Sequence, residues 1–575
     1  MQARFFNHRR AAAVRTVAVY SLIVLIVNFA FSSYRWIPAG TFAVAFLPLA
    51  ESVALVWLIA LSATFRGTRR RVALALSAAV FSVLAVFSAA EALFQFIFAR
   101  SFVPRADIPM VRGGLLLLFG EIGTLADVLT PLTIVLIVAV FWAAGMLIAT
   151  AGAFLLGRYT RSLPRGTIAG AVVIPLLIAV TSPHLLSATM VRSLTDDGRM
   201  EFADVMEGAR ESGIADEAHQ DRQDPAAARN RYAFPGLLDR DIYVFVIEAY
   251  GYAAFSRDDL FRQLRPDFDR FNRVLERHGY GLMSNYLLAP VAGGFSWLAE
   301  ATFLSGQWIN SQPRFEQLYG NEVPTLTGML HEGGYYTFTV RPGTVHGSWP
   351  EGWDLYRFED ALVAYEGDFG YRGPGFSYVP ITDQFAIWKA HKHLERVRGP
   401  GGPAYGRPVL AYYQLVSSHT PFNRIPPYIE DWTALGDGSI YYERSDEILT
   451  FDNTWGGGSE LDEGFVASIS YVLTVITDYI DRFVDHERSP IFIIFGDHQP
   501  QRPIREQNAH LSVPIHVASR DQEVLDRFSR LGYHSGIRGE QPPPHPQMSE
   551  FFAGFARLAQ SHRMTGDDHI EDASQ

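Results

Sequence analysis

Cysteine is absent from all 575 residues, which removes disulfide frameworks and thiolate metal sites from consideration. Lysine is missing from the first 190 residues, where only five acids (Glu51, Glu91, Asp107, Glu121 and Asp127) stand against 15 arginines. That front portion carries +10, and the remaining 34 basic and 55 acidic residues leave −21 behind it. An acidic C-terminal part argues against nucleic acid as a partner, because that affinity comes mainly from Lys and Arg on phosphates. The front portion has very little charge over long stretches, and those stretches set its architecture.

Five of them are long enough to cross a hydrocarbon core, which takes roughly 20 apolar residues. They lie at about 14–34, 41–65, 72–99, 129–157 and 166–190, so residues 1–190 are expected to form an all-α transmembrane bundle of about five helices. Four spans after the first argue against a cleaved signal peptide. Arginine sets the orientation. Eleven (Arg4, Arg9, Arg10, Arg15, Arg66, Arg69, Arg70, Arg71, Arg158, Arg161 and Arg165) fall in the N-terminus and the loops on its side, and four (Arg35, Arg100, Arg105 and Arg112) in the alternating segments. The N-terminus is therefore expected inside the cytoplasmic membrane, with everything after residue 190 outside. Residues 113–126 are too short and interrupted to span and read as an interfacial helix. Glu51, Glu91 and His184 fall within spans, where helix–helix polar contact is the plain explanation.

Residues 191–235 are charge-rich and poor in large apolar side chains, which reads as an exposed stalk. From 236 to 575 the pattern is that of a soluble α/β domain. Apolar runs at 241–248, 335–341, 408–416, 490–495 and 512–518 alternate with helical patterns near 258–278, 296–304, 381–397, 460–484 and 521–531. Near-continuous apolar strands alternating with helices indicate a parallel or mixed sheet covered on both faces.

Ligands of such sheets gather at the carboxyl ends of the strands, and four polar signatures sit there. The first run ends in Glu248, the run at 490–495 leads into Gly496-Asp497-His498, and the run at 408–416 leads into Ser417-Ser418-His419. A Gly-Gly-Phe-Ser296 turn opens the helical pattern at 296. Taken singly, each has a structural explanation as a turn, a salt bridge or a satisfied imidazole. Together, two carboxylates, a histidine and a hydroxyl can supply the coordination shell of a divalent cation.

Those segments resemble a known family. IFIIFGDHQP is similar to the metal motif of the alkaline-phosphatase/sulfatase superfamily, and VFVIEAYG to its first-strand metal carboxylate. SSHTPF and GGFSWLAEATFLSG resemble the substrate-histidine and nucleophile segments of its lipoteichoic acid synthase and phosphoglycerol transferase branch. The resemblance implies a sulfatase-like C-terminal domain in which Glu248, Ser296, Asp497 and His498 hold one Mn²⁺ or Zn²⁺, or Mg²⁺ in their place. Ser296 would be the nucleophile and His419 would bind phosphate. It further implies transfer of a phospholipid headgroup to an extracytoplasmic glycan or lipid acceptor. The branch has Trp-x-Arg after the next strand. Here Arg341-Pro-Gly-Thr-Val-His346-Gly-Ser-Trp349-Pro-Glu351 keeps the Trp, replaces the Arg by Glu, and offers Arg341, His346 and Trp349 as headgroup contacts. Ser296 also stands where the branch has Thr.

The residues weigh against three other readings. A formylglycine sulfatase needs x-Pro-x-Arg after its modified residue, and Ser296-Trp-Leu-Ala-Glu lacks it. A two-metal phosphodiesterase needs a second Asp-x-x-x-His ligand set, which is not found between Ser296 and Asp497. A non-catalytic receptor on this fold would not need competent side chains at all four metal positions.

Overall fold

The computed structural model describes residues 21–25, 27, 50–62, 65–98, 102, 139–155, 237 and 240–560, with short breaks at 321–322, 345–349, 365–366, 455–456, 506–509, 538–540 and 542 and at 238–239 before them. The chain divides into two compact units, Met1–Asp197 and Gly198–Gln575.

In the first unit, α1 (Ala50–Ser62), α2 (Gly67–Phe98) and α3 (Ala139–Leu155) are described. Among the described residues one helical stretch, Gly67–Ala92, is long and apolar enough to cross a membrane. The expected spans at 14–34, 41–65 and 129–157 are described only in part, and the span at 166–190, the segment 113–126 and the stalk lie outside the described residues. The three helices meet through small residues. A β-carbon at Gly145 would sit 2.9 Å from the Ala78 carbonyl oxygen, and one at Gly152 2.9 Å from Ile59 Cγ2. Close approach at small residues is how helices associate where no hydrophobic drive separates them from lipid. Leu76, Val83 and Leu147 point outward, 62%, 64% and 71% exposed. Glu91 is buried and accepts the Phe102 N–H at 2.7 Å; the Glu51 side chain and His184 lie outside the described residues.

The second unit is built on an eight-stranded mixed sheet. Its strands are β1 (Ile242–Ile247), β2 (Gly281–Leu288), β3 (Tyr336–Arg341), β4 (Asp360–Val363), β5 (Val409–Gln414), β6 (Ile491–Gly496), β7 (Ser512–Ser519) and β8 (His534–Ser535). Their order is β8-β2-β7-β6-β1-β5-β3-β4. β6, β1, β5, β3 and β4 run parallel, while β7 is antiparallel to both β6 and β2. β2 therefore points the same way as β1, and its carboxyl end delivers the chain to the same edge.

The central strands are apolar on both faces because both faces are covered. Tyr243, Phe245 and Ile247 of β1 enter one core with α4 (Asp258–Arg277), α6 (Asp383–Arg398) and α7 (Leu461–Arg482); Ile242, Val244 and Val246 enter the other. That second core is closed by α5 (Ser296–Ser305), α8 (Gln522–Arg530) and α9 (Glu550–Gln560). One contact there matters for the site: Phe303 of α5 stacks on Phe495 of β6 with ring centroids 4.0 Å apart. It fixes the helix that begins at Ser296 against the strand that ends just before Asp497.

The five strands and five helices expected between 241 and 531 are all present within a few residues. β2 was not anticipated. Its sequence GLMSNYLL has no β-branched residue, and Ser284 and Asn285 lie buried within it. Ser284 is tolerated because it pairs across the ladder with His516, its Oγ 2.8 Å from Nδ1, which satisfies both polar groups.

Candidate active site

Glu248, Asp497 and His498 leave adjacent parallel strands, since β1 and β6 pair in register with Ile247 opposite Gly496. Their ligand atoms all lie within 4.8 Å of one another, and all three residues are buried. His498 Nε2 is 3.0 Å from Glu248 Oε1 and 3.6 Å from Asp497 Oδ2. Its Nδ1 faces the Gln499 carbonyl at 2.9 Å and so carries a hydrogen, which turns Nε2 into the cluster.

Ser296 completes the group from the next layer. Its Oγ donates to Glu248 Oε2 at 3.0 Å and lies 3.3 Å from His498 Nε2. Ser296 is the first residue of α5, and the preceding Phe295 has a left-handed backbone (φ 66°, ψ 40°) and makes no side-chain cap bond. The turn is forced by Gly293 and Gly294 at φ 67° and 141°, conformations that only glycine adopts readily. Ala249, Phe295 and Phe422 are non-glycines at positive φ, each one to three residues from Glu248, Ser296 or His419. Such conformations persist where the surroundings over-determine them.

His419 approaches from the β5 exit, its Nε2 3.9 Å from Glu248 Oε1. Its Nδ1 meets the Thr420 carbonyl at 2.7 Å, and its ring stacks on Tyr378 with centroids 3.7 Å apart. The Ser418 hydroxyl, one residue earlier, donates to the Glu248 carbonyl at 2.6 Å. The sequence segment carried this hydroxyl in view; Tyr378, within a Gly- and Pro-rich loop, had no signal that could have found it.

The electrostatics are those of a cradle made for positive charge. Burial works against the Glu248 carboxylate, but His419 and His498 together hold it down at about 2. Burial first, and then the Glu248 charge, push the Asp497 carboxyl up to about 8. Burial opposes protonation of His498, yet Asp497 and Glu248 outweigh it and raise the ring to about 9. Two carboxylates this close cannot both stay ionised without a proton or cation between them. Asp497 Oδ1 accepts the N–H groups of Ala249 and His498 at 2.9 and 2.7 Å, whereas its buried Oδ2 has no hydrogen-bond partner among the described residues. An orphaned carboxylate oxygen beside a carboxylate, an imidazole lone pair and a hydroxyl fits a divalent cation.

Arg341 stands apart from this cluster. It forms a buried ion pair with Glu300 of α5, both about 95% enclosed (5% and 3% exposed). His346 and Trp349 lie outside the described residues.

No protein-family model and no curated protein matches the chain. Solved structures do. The lipoteichoic acid synthase LtaP from Listeria monocytogenes is 13% identical with a TM-score of 0.31, over 48% of this chain and 65% of that one. A protein in the alkaline phosphatase superfamily from Vibrio parahaemolyticus is 14% identical with a TM-score of 0.30, over 49% and 60%. The phosphoglycerol transferase GacH of Streptococcus pyogenes, in complex with sn-glycerol-1-phosphate, is 11% identical with a TM-score of 0.33, over 58% and 91%.

Proposed function

We propose that this chain is a membrane-anchored, metal-dependent phosphotransferase, which moves a phospholipid headgroup of the phosphoglycerol or phosphoethanolamine kind to an extracytoplasmic glycan or lipid acceptor through phospho-Ser296. The observation that carries the reading is the placement of the Ser296 hydroxyl, half-buried at the first turn of α5 and within 3.3 Å of both Glu248 and His498. A divalent cation held by Glu248, Asp497, His498 and Ser296 would lower the hydroxyl's pKa and offset phosphoryl charge; Mn²⁺ and Zn²⁺ suit the mixed oxygen and nitrogen donors.

The remaining roles belong to the chain. The N-terminus of α5 offers backbone N–H groups and a favourable dipole to the phosphate. Ser296 Oγ attacks phosphorus, the bond from phosphorus to the lipid oxygen breaks, and the departing lipid leaves as an alcohol. The proton that Ser296 gives up is carried to that oxygen by His419. Burial lowers the His419 pKa against the pull of Glu248, which keeps the ring neutral and its site-facing Nε2 able to accept a proton. In the second half-reaction His419 takes the proton of the acceptor hydroxyl and returns it to Ser296 as the phosphoester is passed on.

The purified full chain with Mn²⁺ or Zn²⁺, incubated with phospholipids labelled in the headgroup, should become labelled on the peptide containing Ser296 and discharge the label to an added acceptor. Discharge to water alone would make it a hydrolase. Metal binding with no labelling would favour a non-catalytic receptor.

A further inference from the structure

We propose that Asp383, remote in sequence from every motif of the site, is a positioning residue that sets the turn carrying His419; the inference rests on the phosphotransfer reading above. Asp383 is fully buried at the first position of α6, preceded by the cap Thr382. Its two carboxylate oxygens accept different backbone N–H groups, Oδ1 that of Val416 at 2.8 Å and Oδ2 that of Ser417 at 2.9 Å. Ser417 Oγ in turn accepts the Asp383 N–H at 2.9 Å, closing the clamp. These residues lie just past β5, where the chain stops pairing with the sheet and turns toward the site.

The same turn is tied at its far end. The His419 N–H bonds the Val416 carbonyl at 3.0 Å, and Ser418 Oγ bonds the Glu248 carbonyl at 2.6 Å. The four residues from Val416 to His419 are thus held by Asp383 on one side and by the backbone of a metal-ligand candidate on the other. Displacing the clamp moves His419 Nε2 and the Glu248 backbone together.

A carboxylate suits this task for a reason of valence. Burial pushes the Asp383 carboxyl up to about 7, against the pull of the Val416 and Ser417 N–H groups, and its ionised form offers acceptors at both oxygens and no hydrogen. Asn in its place would turn an amide N–H₂ against one of the two backbone donors and open that side of the turn. The helix N-terminus offsets part of the cost of burying the charge. A residue required only to fill this space would be apolar, since a buried charge is otherwise expensive.

The test uses the purified full chain and its variants Asp383→Asn and Ser417→Ala. Metal content, KM for a headgroup-labelled phospholipid, and the single-turnover rates of Ser296 labelling and discharge are measured, with rates normalised to metal-loaded sites. Misplacing a reacting group by about 1 Å costs on the order of 100-fold in rate. Asp383→Asn should therefore keep wild-type metal content and a KM within about threefold while losing about 10- to 100-fold in both rates. Ser417→Ala, which opens only one of the three bonds, should lose less in the same pattern. Wild-type rates per loaded site in Asp383→Asn, or rates that fall only in step with metal content, would overturn the assignment. Where Asp383→Asn does not fold, wild-type rates in Ser417→Ala overturn it instead. A wild-type chain that never labels sinks the phosphotransfer reading and this inference with it; labelling in the wild type with an unaffected Asp383→Asn sinks this inference alone.

Discussion

Asp497→Asn removes one negative charge from a buried pair of carboxylates, and its consequences reverse with the cation. In chelated protein, Asp497 Oδ2 is buried without a hydrogen-bond partner beside Glu248. Burial and then the Glu248 charge hold its carboxyl near 8, against a usual value of 3.8. A raised carboxyl pKa means that the group's contribution to stability is complete below the unfolded value near 4 and is lost as pH rises through about 8. At pH 7 the cost is on the order of 4 kcal/mol, from about three pH units at about 1.4 kcal/mol each. Asn is spared it. Its Oδ1 still accepts the N–H groups of Ala249 and His498, which now bond at 2.9 and 2.7 Å, and its N–H₂ can donate to Glu248. With cation present the gap narrows, because the wild type gains about 2.7 kcal/mol at a metal concentration of 100 Kd and the variant has lost a carboxylate ligand; at pH 5, where only about 1.6 kcal/mol of the cost remains, the order inverts. Thermal melts by intrinsic fluorescence, in chelator and in excess Mn²⁺ at pH 5 and pH 8, read both effects. In chelator at pH 8 Asp497→Asn should melt several degrees above wild type, and by less at pH 5. In Mn²⁺ it should melt below wild type at pH 5, and at pH 8 its margin over wild type should shrink. A variant that melts below wild type in chelator at pH 8, or gains as much from Mn²⁺, would refute the argued site.

Ser296→Ala should lose nearly all turnover and Ser296→Thr should stay partly active, because the Thr302 and Ser305 hydroxyls are spent on the Leu298 and Ala301 carbonyls of their own helix at 2.8 and 2.5 Å; a labelled adduct on Thr302 would contradict this. Reporter fusions after residues 70 and 162 should read cytoplasm, and those after 110 and 230 exterior, by the arginine distribution. An inside reading at 230 would place the site away from an extracytoplasmic acceptor. His516, fully buried between Ser284 and Tyr250, has its pKa lowered by burial to about 3. The stability that comes from keeping this ring neutral is complete above its unfolded value near 6.5 and is lost as pH falls through about 3, at about 1.4 kcal/mol per unit. His516→Gln should therefore flatten the acid decline in melting temperature between pH 6.5 and 4, and an unchanged decline would assign acid sensitivity elsewhere.

Much of the second unit was readable because its strands are buried on both faces. A strand such as IYVFVI declares itself by continuous apolarity, and the polar residue after it marks the strand's end. That is why Glu248 and the Asp497-His498 pair could be named from sequence, and why Ser296 could be placed at a helix start. β2 escaped because its buried Ser284 is satisfied only by His516, more than 200 residues away. Arg341 illustrates the same limit: its position at the end of a strand suggested a ligand contact, while its ion pair with Glu300 depends on how α5 packs.

What the sequence determined by itself is the local chemistry: which segments are apolar enough for lipid, which strands are enclosed, and which donors stand at strand ends. These follow from composition and period within ten or twenty residues. Tertiary structure decided which donors meet. Pairing of β1 with β6 brings Glu248 to Asp497 and His498, and the packing of Phe303 on Phe495 carries Ser296 into reach. Asp383, unmarked by any motif, holds the turn that brings His419 to them. Convergence of this kind depends on register and on helix placement across hundreds of residues, and no local window of sequence contains it.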